Sequence, residues 1–152
     1  MTEEIRIPNI ENYIMEVING ELILTPKKQS ISEEELYAIS IVNSKIEKCT
    51  IKKDNEIIST SETYRCILID IWKSMPVQKI LQTTSYNFKL TNENGEKGYK
   101  WCDSIQMSFQ NKDSSSALKE ILKMIKVNNL GIELIIKLET GRTIYYKKDY
   151  LV

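Results

Sequence analysis

At 152 residues, 41% of them hydrophobic and 28% charged, the chain is long enough to bury a core and too apolar to stay disordered. Its formal charge at pH 7 is zero and it contains no histidine. Ser–His and Cys–His nucleophile pairs, imidazole bases and His-containing metal sites are therefore excluded within one chain, and there is no global pull toward nucleic acid or an anionic membrane.

The charge is unevenly spread: residues 1–62 carry 7 basic and 12 acidic side chains, and residues 63–152 carry 14 and 9. Met1-Thr2-Glu3-Glu4 has neither a basic start nor an apolar stretch behind it, so no secretory signal is expected. The longest apolar run, Cys66–Trp72, is short and interrupted by Asp70, so no membrane span is expected. Cys49, Cys66 and Cys102 are odd in number and far apart, which fits reduced, buried thiols in a cytoplasmic protein.

Residues 1–12 read as a short extended arm, since Ile7 precedes Pro8. Tyr13–Ile18 and Glu21–Thr25 flank Asn19-Gly20, the strongest short hairpin signal, and a two-residue turn there pairs Val17 with Leu22 and Met15 with Leu24. In Ser30–Asn43, Ser32 and Glu35 have capping-box spacing while Ile39–Val42 is β-branched; the reading preferred is a helix of two to three turns. Lys45–Lys53 and Glu56–Ile58 form a second hairpin around Asp54-Asn55, although their alternation is poor.

The stretch Ser61–Thr84 supplies the spine. Tyr64, Ile67, Leu68, Ile71, Trp72 and Met75 follow an i, i+3, i+4 series that predicts a helix over Glu62–Met75, with cap oxygens from Ser59, Thr60 and Ser61. Ser74 and Pro76 open a second short helix over Pro76–Gln82. Asp70 is read as an i, i+3 partner of Lys73 on a solvated face.

Two strands follow, Tyr86–Leu90 and Tyr99–Phe109. In the second, Tyr99, Trp101, Ile105, Met107 and Phe109 share one parity, and Asp103 interrupts it. A straight strand would bury the Asp103 carboxylate and raise its pKa, making it an acid or base candidate; the preferred reading is a bulge or bend at Cys102-Asp103-Ser104 that splits one long strand into two. Ser114-Ser115-Ser116 then caps a helix with the stripe Leu118, Ile121, Leu122 and Ile125, whose solvated face carries Lys119, Lys123 and Lys126. Ile132–Leu138 and Arg142–Lys148 close the chain as a hairpin, with Gly141 in the turn, Ile136 facing Ile144 and Leu134 facing Tyr146.

Hairpins mixed with three or four helices, without a βαβ rhythm, predict an α+β fold: a mostly antiparallel sheet with helices on one face, in a single domain over 1–152. No phosphate-cradling glycine loop and no C-x-x-C pair occurs, and no cofactor or metal is expected. Ser116-Ala117-Leu118-Lys119 matches the spacing of serine–lysine acyl enzymes but is read as a helix cap followed by a solvated lysine.

Three functional readings follow. The preferred one is a small cytoplasmic protein without catalysis of its own that binds another protein, as inhibitors, immunity proteins and accessory products of mobile elements do. Its opposite-signed halves would steer association. The second is a small-ligand binder or histidine-free enzyme with a site near Asp103, its candidates being Asp103, Tyr99 and a cysteine. The third is single-stranded nucleic-acid binding by the C-terminal hairpin, with Arg142, Lys147 and Lys148 sharing a face with Tyr145; zero net charge argues against it. The residues singled out for binding are Tyr99, Trp101, Asp103, Arg142, Tyr145 and Lys147. The Arg142–Val152 strand is also a candidate sheet edge for homo-oligomer formation.

Overall fold

Each of the three hairpins that a short polar turn predicts is present, and the turns hold the left-handed backbone that those residues tolerate. Asn19 and Gly20 have φ of 52° and 80°, Asp54 and Asn55 have 50° and 68°, and Gly141 has 89°. The structure is a computed structural model and describes residues 13–26, 29–93 and 95–149. The extended arm read over 1–12 and the apolar end Leu151-Val152 lie outside the described residues.

The chain falls into two compact units, Met1–Ser30 and Ile31–Val152. The first contains β1 (Tyr13–Ile18) and β2 (Glu21–Pro26), paired antiparallel with Val17 opposite Leu22 and Met15 opposite Leu24, the register expected of the Asn-Gly turn.

The second unit has an α+β fold with antiparallel sheets. It begins with α1 (Glu33–Ala38), less than two turns long and shorter than expected, because Ile39 already has extended backbone. Its cap is the expected one: Ser32 Oγ accepts from the Glu35 N–H at 3.1 Å. Next come β3 (Lys45–Lys53), β4 (Glu56–Ser59), α2 (Tyr64–Lys73) and α3 (Val77–Thr83). The chain continues through β5 (Phe88–Lys89), β6 (Tyr99–Cys102), β7 (Met107–Gln110), α4 (Ser114–Val127), β8 (Gly131–Lys137) and β9 (Thr143–Lys148).

Four strands form a sheet in the order β4-β3-β8-β9, and three form another in the order β5-β7-β6. The poor alternation of β3 has a physical cause. Its register against β8 shifts between Ile46 and Lys48, so Glu47 is the extra residue of a bulge and Ile46, Cys49 and Ile51 all reach the core. The closing hairpin pairs Ile136 with Ile144 and Leu134 with Tyr146, as its turn requires.

The helical spine forms with altered caps. Thr63, rather than Ser59, Thr60 or Ser61, caps α2 by accepting from the Cys66 N–H at 3.3 Å. Ser59 and Ser61 instead donate their hydroxyls to the Asp70 carboxylate, both at 2.7 Å, so Asp70 ties helix to strand and is not simply the i, i+3 partner of a lysine. Pro76 is the cap residue of α3 rather than its first helical residue, and α4 is capped by Asp113, which accepts from the Ser116 N–H at 2.7 Å, rather than by the serines after it.

Trp72 is fully buried and takes the edges of three rings, with centroids at 5.3 Å to Tyr86, 4.9 Å to Phe88 and 5.2 Å to Phe109. This aromatic cluster joins α2 to the three-stranded sheet. On α4 the stripe Leu118, Ile121, Leu122 and Ile125 is buried, while Lys119, Lys123 and Lys126 are exposed.

The stretch Tyr99–Phe109 is two strands, split at the bend preferred from sequence. It reverses at Asp103–Gln106, and Cys102 pairs with Met107. Gln106 takes φ 54°, and its side-chain amide donates to Asp103 O at 2.7 Å and Asp103 Oδ1 at 2.9 Å, closing the turn. The reversal separates the expected common face. Trp101 lies opposite Ser108 and Lys100 opposite Phe109, so Tyr99 and Trp101 point to one side of the sheet and Met107 and Phe109 to the other.

Candidate functional site

The six residues singled out from sequence do not form one site. Tyr99 is buried on β6, with the Lys89 ammonium 4.6 Å from its ring centroid. Trp101 is half-buried on the same side of β6. Asp103 is exposed at the turn, where it accepts from Gln106, so it is not a buried acid and sits instead in the bend that splits the strand. The other three belong to the four-stranded sheet. Arg142 is exposed at the turn of the β8–β9 hairpin, and Tyr145 and Lys147 follow on β9.

Of the cations that nucleic-acid binding by the hairpin would gather around Tyr145, Lys147 lies on the same face of β9 and acts on its hydroxyl, whereas Lys148 takes the opposite parity and Arg142 lies at the turn. Tyr145 is half-buried and its hydroxyl donates to Glu133 Oε2 at 3.4 Å, while Arg142 lies six residues from Lys148, roughly 20 Å along an extended strand. Instead, Lys147 and Lys148 join Lys48 and Lys52 from β3 in an open cleft of about 590 Å³ across the sheet, together with Glu133 and Asp149. Lys48 and Glu133 are ion-paired at 2.6 Å. That contact holds the Glu133 carboxyl below the usual carboxylate range and the Lys48 ammonium above its own.

A second cleft, about 270 Å³, was not foreseen. Its floor is Leu68, Tyr86, Phe109 and Ala117, and its walls carry Arg65 from α2 and Lys112 from the segment before α4. The Arg65 guanidinium lies 4.6 Å from the Phe109 ring centroid and donates to Asn111 Oδ1 at 2.6 Å. The Lys112 ammonium lies 5.0 Å from the Tyr86 ring centroid and donates to Ser85 O at 2.7 Å.

Behind this wall, Glu120 of α4 is 1% exposed. Its two oxygens each accept from the Ser85 N–H at 3.2 Å, and one also accepts the Ser85 hydroxyl. The buried Tyr86 phenol is pushed up to about 12 by burial, with Glu120 and Asp113 adding to it. Sequence carried a signal for Glu120, which lies three residues after Ala117 and four before Met124 on the apolar stripe. Nothing local connects Arg65 with Lys112.

A third feature is the β1–β2 hairpin. Its Met15–Leu24 face carries Met15 at 54%, Val17 at 73% and Leu22 at 58% exposure. Its other face alternates Glu16 and Glu21 with Ile18 and Ile23.

Of the three thiols, Cys49 and Cys102 are buried, and burial pushes the Cys49 thiol up to about 12. Cys66 is exposed on α2, contrary to the expectation that all three are buried. No group of three or more acidic or cysteine side chains among the described residues is placed to hold a metal ion, and no helix among them is long and apolar enough to cross a membrane. Compared with protein-family models, curated proteins and solved structures, the chain matches none.

Proposed function

We propose that this protein has no catalysis of its own and acts by binding another protein, in the manner of inhibitor, immunity or accessory proteins, and that the β1–β2 hairpin is the docking element. The observation that carries this reading is the exposed Met15–Val17–Leu22 face of a two-stranded sheet. A lone hairpin is marginal in water, and contiguous exposed apolar side chains mark interaction surfaces. Covering such a side chain fully contributes roughly 1.5–3 kcal/mol. Residues 13–26 contain Glu16 and Glu21 and no cation, so the partner's surface is apolar with a basic rim.

The test is native mass spectrometry of the tagged protein from its own host, wild type beside a Val17→Lys/Leu22→Lys variant. The expected result is a stoichiometric protein partner on the wild type and its loss from the variant, while a Lys52→Glu variant in the sheet cleft keeps it. A partner retained by the hairpin variant overturns the reading. A concentration-dependent dimer of the pure protein would replace the partner with a second copy.

A further inference from the structure

We infer that the cleft walled by Arg65 and Lys112 is a binding site for a small aromatic anion, a flat apolar body bearing a phosphate or carboxylate. This goes beyond partner docking by the hairpin and does not depend on it. Four elements build the cleft: Arg65 comes from α2, Tyr86 from the segment before β5, Phe109 from β7, and Lys112 from the segment between β7 and α4.

Its floor of Leu68, Tyr86, Phe109 and Ala117 is apolar, so a ring entering the cleft beside Arg65 and Lys112 would exchange water for apolar contact. Two cations stand above that floor, and no carboxylate is among the described residues that line it, while Glu120 and Asp113 act on Tyr86 from outside the lining. The larger sheet cleft differs, because Glu133 and Asp149 stand among its lysines. Beside an apolar floor a cation–anion contact is screened less than in open water.

The two cations are positioned before any ligand arrives. Arg65 rests over the Phe109 ring and is bonded to Asn111; Lys112 rests over the Tyr86 ring and is bonded to Ser85 O. Ser85 is in turn held by buried Glu120. A guanidinium in a fixed plane suits the two oxygens of a carboxylate or phosphate, and the ammonium supplies a second charge. The Asp113 carboxylate lies next to Lys112 in sequence but is engaged by the Ser116 N–H as the cap of α4, so the inference draws on the two side-chain cations and not on the helix end. The volume, about 270 Å³, falls just below the range of drug-sized pockets and limits the ligand to a single ring with its acidic group.

The probe is phenyl phosphate, and the readout is Trp72 fluorescence in a Trp101→Phe background, since Trp72 touches both Tyr86 and Phe109 of the floor. Saturable binding is expected, with inorganic phosphate and phenol each at least about tenfold weaker, because each lacks one half of the recognition. Arg65→Gln and Lys112→Gln should each weaken phenyl phosphate at least about fivefold, a loss typical of one charge-assisted hydrogen bond. Lys123→Gln, on the exposed face of α4, should leave it unchanged.

Lys112 is exposed, so that variant reports even if Arg65→Gln fails to fold. No saturation by about 10 mM overturns the inference. So does inorganic phosphate binding as tightly as the probe, or Lys123→Gln weakening binding as much as Lys112→Gln.

Discussion

Glu120, in the second turn of α4, accepts the backbone N–H of Ser85, a residue 35 positions earlier, on both of its carboxylate oxygens. The carboxylate is 1% exposed, so its solvation has been exchanged for the Ser85 N–H and hydroxyl. That bond fixes the segment between α3 and β5 and sets Tyr86 beneath Lys112. Glu120→Ala leaves the Ser85 N–H without its acceptor and should cost roughly 2–3 kcal/mol. For a chain of this size that lowers the melting temperature by roughly 4–12 °C. Glu120→Gln keeps one acceptor oxygen and should cost less. Calorimetry of the two variants checks this, and an unchanged melting temperature for Glu120→Ala would remove the tether from the fold.

Trp72 offers a paired prediction. Trp72→Ala empties a fully buried site among Tyr86, Phe88 and Phe109 and should cost roughly 3–5 kcal/mol. The Trp72 indole Nε1 is buried and has no hydrogen-bond partner among the described residues. Trp72→Phe therefore gives up ring volume but also removes an unpaired donor that itself costs about 1–3 kcal/mol, so its net cost should stay within about 1 kcal/mol. Urea melts of both variants measure the difference. Equal losses would mean that the indole N–H contributes as much as the ring.

These contacts mark where sequence was informative. Hairpin registers were legible at Asn19-Gly20 and Gly141, whose left-handed turns let period 2 assign the facing residues. The helices α2 and α4 were legible because their apolar stripes run over three turns or nearly so. At Asp103 the interrupted parity signalled a bend that splits the strand, but not the full reversal over Asp103–Gln106, since the turn contains no glycine and the apolar parity continues across it. The Glu47 bulge shows the converse, a broken alternation that still buries Ile46, Cys49 and Ile51. The cleft was invisible for a different reason. Arg65 and Lys112 belong to separate elements, and only the packing of α2 and α4 around β7 brings them together.

The thiols differ in access, which a labelling experiment reads directly. Cys66 is exposed, whereas Cys49 and Cys102 are 2% and 8% exposed. At neutral pH a thiol reagent should label one equivalent rapidly on the folded protein and all three in denaturant. Cys66→Ser should abolish the rapid phase and leave the melting temperature unchanged. Two or more rapid equivalents would show that β3 or β6 opens on the timescale of the reaction.

Stability should fall on the alkaline side, where buried thiol and phenol groups must ionise. Burial pushes the Cys49 thiol from 9.0 to about 12 and the Tyr86 phenol from 10.0 to about 12. Burial also raises Tyr64 and Tyr146 above the ordinary phenol value. Each of these groups holds its proton more tightly folded than unfolded. Their contribution is therefore complete below the unfolded values, near pH 9 for the thiol and 10 for the phenols, and is lost as pH rises through the raised folded values, which for Cys49 and Tyr86 are about 12. For Cys49 alone the loss approaches roughly 4 kcal/mol at the top of that window, at about 1.4 kcal/mol per pH unit. Melting temperature should hold steady from pH 7 to 9 and drop steeply between 9 and 12. Cys49→Ala, although less stable at pH 7, should show a shallower drop, and the tyrosinate absorbance should rise in step with unfolding. A melting temperature that stays flat to pH 11 would mean that Cys49 and Tyr86 ionise in place, and that water reaches β3 and the aromatic cluster without unfolding.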